Sequence, residues 1–173
     1  QPATIGAGSR GLTSMETVSI NGNRFLLTTS DGQSAMTLYQ LTTQGHLTPR
    51  SQIGMENGLW ITDPAAVRVV DLAGQTYAVV AASSSNSLSV VQIDASGAMR
   101  VVDHLIDTLD TRFAGVNQLE TITLDDRVYL AAAGSDDGIS LFQLLPGGRL
   151  LHLTTVADAL NTTLQDVTGL GLV

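Results

Sequence analysis

Cysteine and lysine are both absent, and aromatic residues make up only 4% of the 173 residues. Without cysteine the chain has no disulfide, no thiolate metal site and no cysteine nucleophile. Without lysine it has neither a P-loop nor a Ser-x-x-Lys pair. The HExxH and GxSxG patterns are missing as well. All eight basic residues are arginines; they stand against sixteen Asp and Glu, for a net charge of −8. Such a surface repels nucleic acid and anionic membrane, so neither is expected as a partner. No apolar run approaches the roughly 18 residues that a membrane-spanning helix needs, so no membrane insertion is expected. No Arg-led apolar leader opens the chain, and Gln1 stands where an initiator Met would be, as in a precursor trimmed of its signal.

What is present is strand chemistry. Hydrophobic residues reach 43% and charged residues only 14%, with Val, Leu, Ile, Ala, Thr and Ser dominant and 17 glycines. That mixture favours strands and tight turns over helices, and no stretch carries a sustained 3.6-residue apolar period.

The chain repeats itself. Offset by 52, Met36, Leu38, Tyr39, Gln40, Leu41, Gly45 and Leu47 fall on Leu88, Val90, Val91, Gln92, Ile93, Gly97 and Met99. Offset by a further 51, they fall on Ile139, Leu141, Phe142, Gln143, Leu144, Gly148 and Leu150. Upstream, METVSI (15–20), VRVVDL (67–72) and LETITL (119–124) keep the same register. Each copy holds four strand-like segments, which in the third are 118–124, 127–133, 139–144 and 150–156. Short polar links such as LDDR, GSDDG and LPGGR supply the left-handed residues that hairpins need. A link of about ten residues, such as DTLDTRFAGV, then leads to the next copy.

The expected unit is therefore a four-stranded antiparallel meander. YAVVAA and VYLAAA are almost wholly apolar, and a sheet solvated on one face would alternate instead. Strands of this kind need cover on both faces, as a blade between two blades has. The expected fold is an all-β, partial β-propeller of four-stranded blades, with Ala81, Ala82 and Ala131, Ala132 and Ala133 filling tight space. Blade repeats are placed at 11–62, 63–114 and 115–165. Residues 166–173 align with the first strand of a further blade, and 1–10 with the tail of a preceding one. That makes about 3.3 blades, whereas rings need about four to eight. The expected partners are therefore further blades of the same polypeptide or a second copy of the chain, two copies supplying about 6.7 repeats.

The stretch RVYLAAAGSDDGISLFQLLPGGRLLHL resembles the blade of lactonase-like, seven-bladed β-propellers. It is especially similar to the repeats of large secreted bacterial proteins that also carry hemolysin-type calcium-binding repeats. The resemblance covers nearly all of residues 11–173 and implies an extracellular or cell-surface bacterial location. It implies no activity by itself, because propellers host many functions. The catalytic His, Arg and Glu set of the lactonases has no residue-by-residue match here.

Candidate site residues follow from the register. Glu16, Arg68 and Glu120 share one position, 52 residues apart, and would line the central channel as an acid–base–acid set, either a structural ion-pair network or a charged-ligand site. Gln40, Gln92 and Gln143 sit inside apolar strands, where a buried amide must find partners; a blade-to-blade hydrogen bond is expected. Trp60 in the link GLWITD, with Phe113 in the next, is a ring cap or a ligand platform. Asp103, Asp107, Asp110, Asp125, Asp126, Asp136 and Asp137 are potential oxygen ligands for calcium, but no stretch fits an EF-hand loop or a glycine-rich nonapeptide. They read as turn formers, and no cofactor or metal is expected. His46, His104 and His152 fall at non-equivalent positions. The expected function is a non-enzymatic scaffold that binds a protein or glycan. The alternatives are a lactonase-like hydrolase acting at the channel, and a structural fragment of a larger repeat protein.

Overall fold

The computed structural model describes residues 11–171. It contains twelve strands: β1 (Leu12–Ile20), β2 (Asn23–Ser30), β3 (Ala35–Leu41), β4 (Leu47–Ile53), β5 (Pro64–Leu72), β6 (Gln75–Ala82), β7 (Ser87–Ile93), β8 (Met99–Ile106), β9 (Gln118–Leu124), β10 (Arg127–Ala133), β11 (Gly138–Leu144) and β12 (Leu150–Ala157). They form three antiparallel meanders, β1–β4, β5–β8 and β9–β12, stacked as consecutive blades. A 3₁₀ turn at Met55–Asn57 is the one helical element among the described residues.

Turn residues explain why each meander folds back where it does. Asn21-Gly22, Ala73-Gly74 and Asp125-Asp126 all take positive φ, the geometry of a two-residue hairpin that matches strand twist. Gly45, Gly97 and Gly148 close the β3–β4, β7–β8 and β11–β12 turns at φ +81, +83 and +88. The third and fourth strands of every blade then slip register at one equivalent place: Leu38/Tyr39, Val90/Val91 and Leu141/Phe142. A bulge repeated three times is a built feature that raises local twist.

The pleat divides each blade between two cores. In β6, Ala78, Val80 and Ala82 pack toward the first blade, with Leu27, Leu38 and Ile61 in the same cluster. Tyr77, Val79 and Ala81 pack toward the third blade, with Leu130, Ala132 and Phe142. Every residue of β6 except Gln75 is therefore buried, which accounts for its lack of alternation. The first strands β1, β5 and β9 lie side by side at the inner edge.

Two expectations need correction. No strand ladder forms over 166–171, the described part of the expected first strand at 166–173. The repeat register nevertheless persists there: Gly11, Asp63, Gly115 and Asp166, at equivalent positions, all have left-handed φ. The Asp166 amide faces Asp137 Oδ1 at 3.4 Å, as the Gly115 amide donates to Asn86 Oδ1 at 2.7 Å. Residues 1–10, aligned with a preceding copy, lie outside the described residues.

The second correction concerns the three glutamines. Gln40, Gln92 and Gln143 are only half-buried. Gln92 bonds within its own blade, donating to Gln75 Oε1 at 2.7 Å and accepting from Arg100 at 2.7 Å. It is a rung across β6, β7 and β8. Its amide is already engaged by Gln75 and Arg100, so it makes no bond to a neighbouring blade among those described.

Candidate functional site

Two places gather the chemistry-bearing side chains. The first is the inner edge. Because β1, β5 and β9 are adjacent, Glu16, Arg68 and Glu120 come together. Arg68 grips Glu120 with two bonds, Nη2 to Oε1 at 2.5 Å and Nε to Oε2 at 3.3 Å. Its Nη1 lies 3.8 Å from Glu16 Oε2 and also donates to the Val67 carbonyl at 3.0 Å. The fork geometry is that of a bidentate guanidinium–carboxylate pair. Burial pushes the Glu16 carboxyl above its ordinary range, Arg68 pulls it back and Glu120 pushes it further up. Arg68 is held charged chiefly by its bond to Glu120. The set can hold a cation between two acids, and its weakest member is Glu16.

The second place is the link that leaves the first blade. Elsewhere the links follow a common internal scheme. Asp107 Oδ1 accepts from Thr111 Oγ1 at 2.7 Å and from the Phe113 amide at 3.1 Å. One repeat later, Asp158 Oδ1 accepts from Thr162 Oγ1 at 3.0 Å and from the Leu164 amide at 2.9 Å. The Asp107 and Asp158 amides each donate at 2.8 Å to the preceding turn, at Asn86 and Asp137. The readable signal was D-x-L-x-T-x-[FL] in DTLDTRF and DALNTTL, which the sequence reading passed over. Its purpose is to aim one apolar side chain inward. Ile61, Phe113 and Leu164 hold that position.

Phe113 is accordingly not a surface platform. It is fully buried and meets Phe142 edge-to-face, with centroids 5.7 Å apart. The link it sits on bends the ring into the core between the second and third blades.

The first link, GMENGLWI, abandons this scheme. Met55 and Leu59 stand where Asp107 and Thr111 stand. A 3₁₀ turn takes over, with the Gly54 amide donating to Asn57 Oδ1 at 3.2 Å and the Leu59 amide to the Gly54 carbonyl at 3.0 Å. Ile61 still points inward and is buried, while Trp60 beside it turns out and stays 58% exposed. Trp60 borders an open cleft of about 590 Å³ shared with Gln33, Gln52, Glu56 and Asn57. Gln52 donates to Gln33 Oε1 at 2.9 Å across it. An exposed indole beside amides and a carboxylate offers both a flat apolar face and hydrogen-bonding groups.

The other candidates serve the framework. Asp125, Asp126 and Asp137 occupy left-handed turn positions, and Asp136 pairs with Arg112 at 3.2 Å. Asp103 accepts from the Leu150 amide at 2.7 Å, tying the second blade to the third. Asp110 bonds through its backbone, its carbonyl accepting from Thr155 Oγ1 and its amide donating to Thr108 Oγ1. Among the described residues, no three His, Asp or Glu side chains gather in a group that would hold a metal ion. His104 bonds Ser89 at 2.8 Å and His152 bonds Thr155 at 2.8 Å, while the His46 amide donates to Thr42 Oγ1.

Solved structures share this chain path. The β-propeller domain of Nup133 from Vanderwaltozyma polyspora aligns with a TM-score of 0.50 at 12% identity, over 93% of this chain and 52% of its own. The fold is a β-propeller. Three of its blades lie within the described residues, so this is a partial propeller. A protein from Lactobacillus plantarum aligns with a TM-score of 0.61 at 19% identity, over 82% of this chain and 40% of that one. The periplasmic gluconolactonase PpgL of Pseudomonas aeruginosa gives 0.59 at 15%, over 83% and 40%. The chain thus spans between two-fifths and about half of the length of these propellers. Identities this low speak for the fold alone. No protein-family model matches the chain, and no curated protein matches it in sequence.

Proposed function

We propose that this propeller segment is a non-enzymatic binding module, and that its ligand, a glycan or a protein loop, seats on Trp60. The observation that carries this is the first link. It alone among the three drops the Asp–Thr scheme, and the residue it frees is an exposed tryptophan over a cleft of amide groups. Local departures from an otherwise consistent repeat are where function is expected, and loops on a rigid scaffold are where ligands bind. A secreted or surface location in a bacterium fits an acidic, cysteine-free chain of this repeat type. Trp60 is the one tryptophan, so its fluorescence reads this site without background. Titration with a panel of soluble oligosaccharides is expected to shift its emission, and Trp60→Ala to abolish binding while leaving the fold intact. A chain whose emission responds to no member of the panel, nor to a peptide library, is not a binder at this cleft.

A second reading is a lactonase-like hydrolase at Glu16, Arg68 and Glu120. Supporting it are the structural likeness to PpgL and a half-buried Glu16 whose carboxyl is pushed up toward the range useful for proton transfer. Hydrolysis of glucono-δ-lactone followed by pH-stat, lost in Glu16→Gln, would establish it. The grip of Arg68 on Glu120 argues for the binding reading, since it commits the cation to its neighbour.

A further inference from the structure

The two junctions inside the chain are built from the same positions, and the two outer faces carry the matching halves of a third. At the junction of blades one and two, the Gly97 turn presses on the first blade. A Cβ there would lie 2.9 Å from Arg50 Cγ and 3.2 Å from Leu38 Cδ2. Ser51 donates to the Gly97 carbonyl at 2.6 Å and Arg50 to the Ser96 carbonyl at 2.8 Å. At the junction of blades two and three, the Gly148 turn presses on Tyr77 and Val102 in the same way. Asp103, the equivalent of Ser51, takes the Leu150 amide. Each blade therefore offers a socket on one face and a glycine turn on the other.

The outer faces continue this pattern. On the first blade, Gly45 stands at the position of Gly97 and Gly148, with nothing among the described residues within 4 Å of its would-be Cβ. Met15 is 57% exposed there, while its equivalents Val67 and Leu119 are buried to 0% and 2%. On the third blade, Tyr129, Leu141 and Leu153 stand at the positions of Tyr77, Val90 and Val102. Leu124 is 52% exposed, while its equivalents Ile20 and Leu72 are at 7% and 8%. Val156 is exposed where Ile53 is buried. Thr154 occupies the Ser51 position, with a hydroxyl able to donate to an arriving turn carbonyl.

We propose that the outer face of the third blade is a socket for the outer face of the first blade of a second copy of this chain. The contact is head-to-tail, with the Gly45 turn of one copy seated on Tyr129, Leu141 and Leu153 of the other. It repeats the geometry of the two internal junctions. A contact between unlike faces closes into a ring when the rotation allows, and two copies bring six described blades, within the roughly four to eight that propellers use.

The mixing of two variants tests this. Met15→Glu places a charge on the outgoing face and Leu124→Glu on the socket. Both side chains are half-exposed in the single chain, so the fold tolerates either change, which a circular dichroism melt of each verifies. By light scattering behind a sizing column at about 100 μM, the unaltered chain is expected at twice its 18.1 kDa. Each variant alone is expected at the single-chain mass. Mixed one to one, they retain one intact junction, Met15→Glu supplying the socket and Leu124→Glu the first blade, and association is expected to return. If Leu124→Glu melts early, Val156→Glu replaces it. A monomeric unaltered chain overturns the proposal. So does the absence of rescue on mixing, or association that only one of the two substitutions affects, since a like-with-like contact would behave so. Titration of the Trp60 cleft is a separate experiment, and its outcome leaves this one unchanged.

Discussion

Phe113→Ala is the change that most sharply separates a core plug from a surface platform. The side chain is fully buried between the second and third blades, within the cluster formed by Leu119, Leu130 and Phe142. Truncation removes its transfer free energy and leaves a cavity that two rigid sheets are poorly placed to close. A loss of about 3–5 kcal/mol is expected. Of this, about 0.5–1.5 kcal/mol belongs to the edge-to-face contact with Phe142. Phe113→Leu should cost only about 1–2 kcal/mol, the lost edge contact plus a small volume change. Isoleucine already fills this role at Ile61. Urea unfolding reads both variants. With a slope of about 1–3 kcal/mol per molar, the alanine variant's midpoint should fall by more than about 1 M, and the leucine variant's by clearly less. A drop under about 1 kcal/mol for Phe113→Ala would refute the placement, and would return Phe113 to the surface as a ligand contact.

Two further outcomes follow from the same structure. Burial raises the folded Glu16 pKa above the ordinary carboxylate value of 4.5, so the folded chain holds that proton more tightly than the unfolded one. The contribution of Glu16 to stability is then greatest with its carboxyl protonated, and is lost as pH climbs from about 4.5 through the folded value. Glu16→Gln should flatten that decline in melts run from pH 4 to 7, and an unchanged slope would mean the carboxyl is solvated. Alanine at Gly148 would meet Val102 Cγ2 at 2.5 Å and Tyr77 Cε1 at 2.8 Å, whereas at Gly45 it would meet nothing among the described residues within 4 Å. Both sites have left-handed φ, costing about 1–2 kcal/mol apiece, and Gly148→Ala carries overpacking of about 1–3 kcal/mol more. Melts in dilute solution should therefore rank it clearly below Gly45→Ala; equal losses would mean the turn does not press on the second blade.

The repeat was readable because its anchors are chemically demanding. Gly45, Gly97 and Gly148 must take left-handed φ, and the strands they close must face cores on alternate sides, so few substitutions disguise the register. The third copy's strands were expected at 118–124, 127–133, 139–144 and 150–156, and form within one residue of those bounds. The meeting of Glu16, Arg68 and Glu120 followed from equivalence alone. What was not readable depended on which way a link turns its side chains. Trp60 and Phe113 are both aromatic residues in links, yet one faces water and the other the core. Alignment of Phe113 with Ile61 and Leu164 held the clue, because three apolar residues at one link position mark a plug. The glutamines misled because a polar residue within an apolar strand implies a buried amide, whereas all three are only half-buried and Gln92 finds its partners within its own blade. Over 166–171 the alignment found the repeat's left-handed start at Asp166, but no strand forms there.

The central claim is that three meanders stack face to face as consecutive blades, the middle one covered on both sides. Hydrogen–deuterium exchange resolved to peptides tests it most directly. The account predicts the slowest exchange in β6 and β7, residues 75–93, with the first strand of the first blade and the last strand of the third exchanging much sooner. Equal protection across the three meanders, or faster exchange in the middle one, would mean that they fold as separate sheets and not as blades.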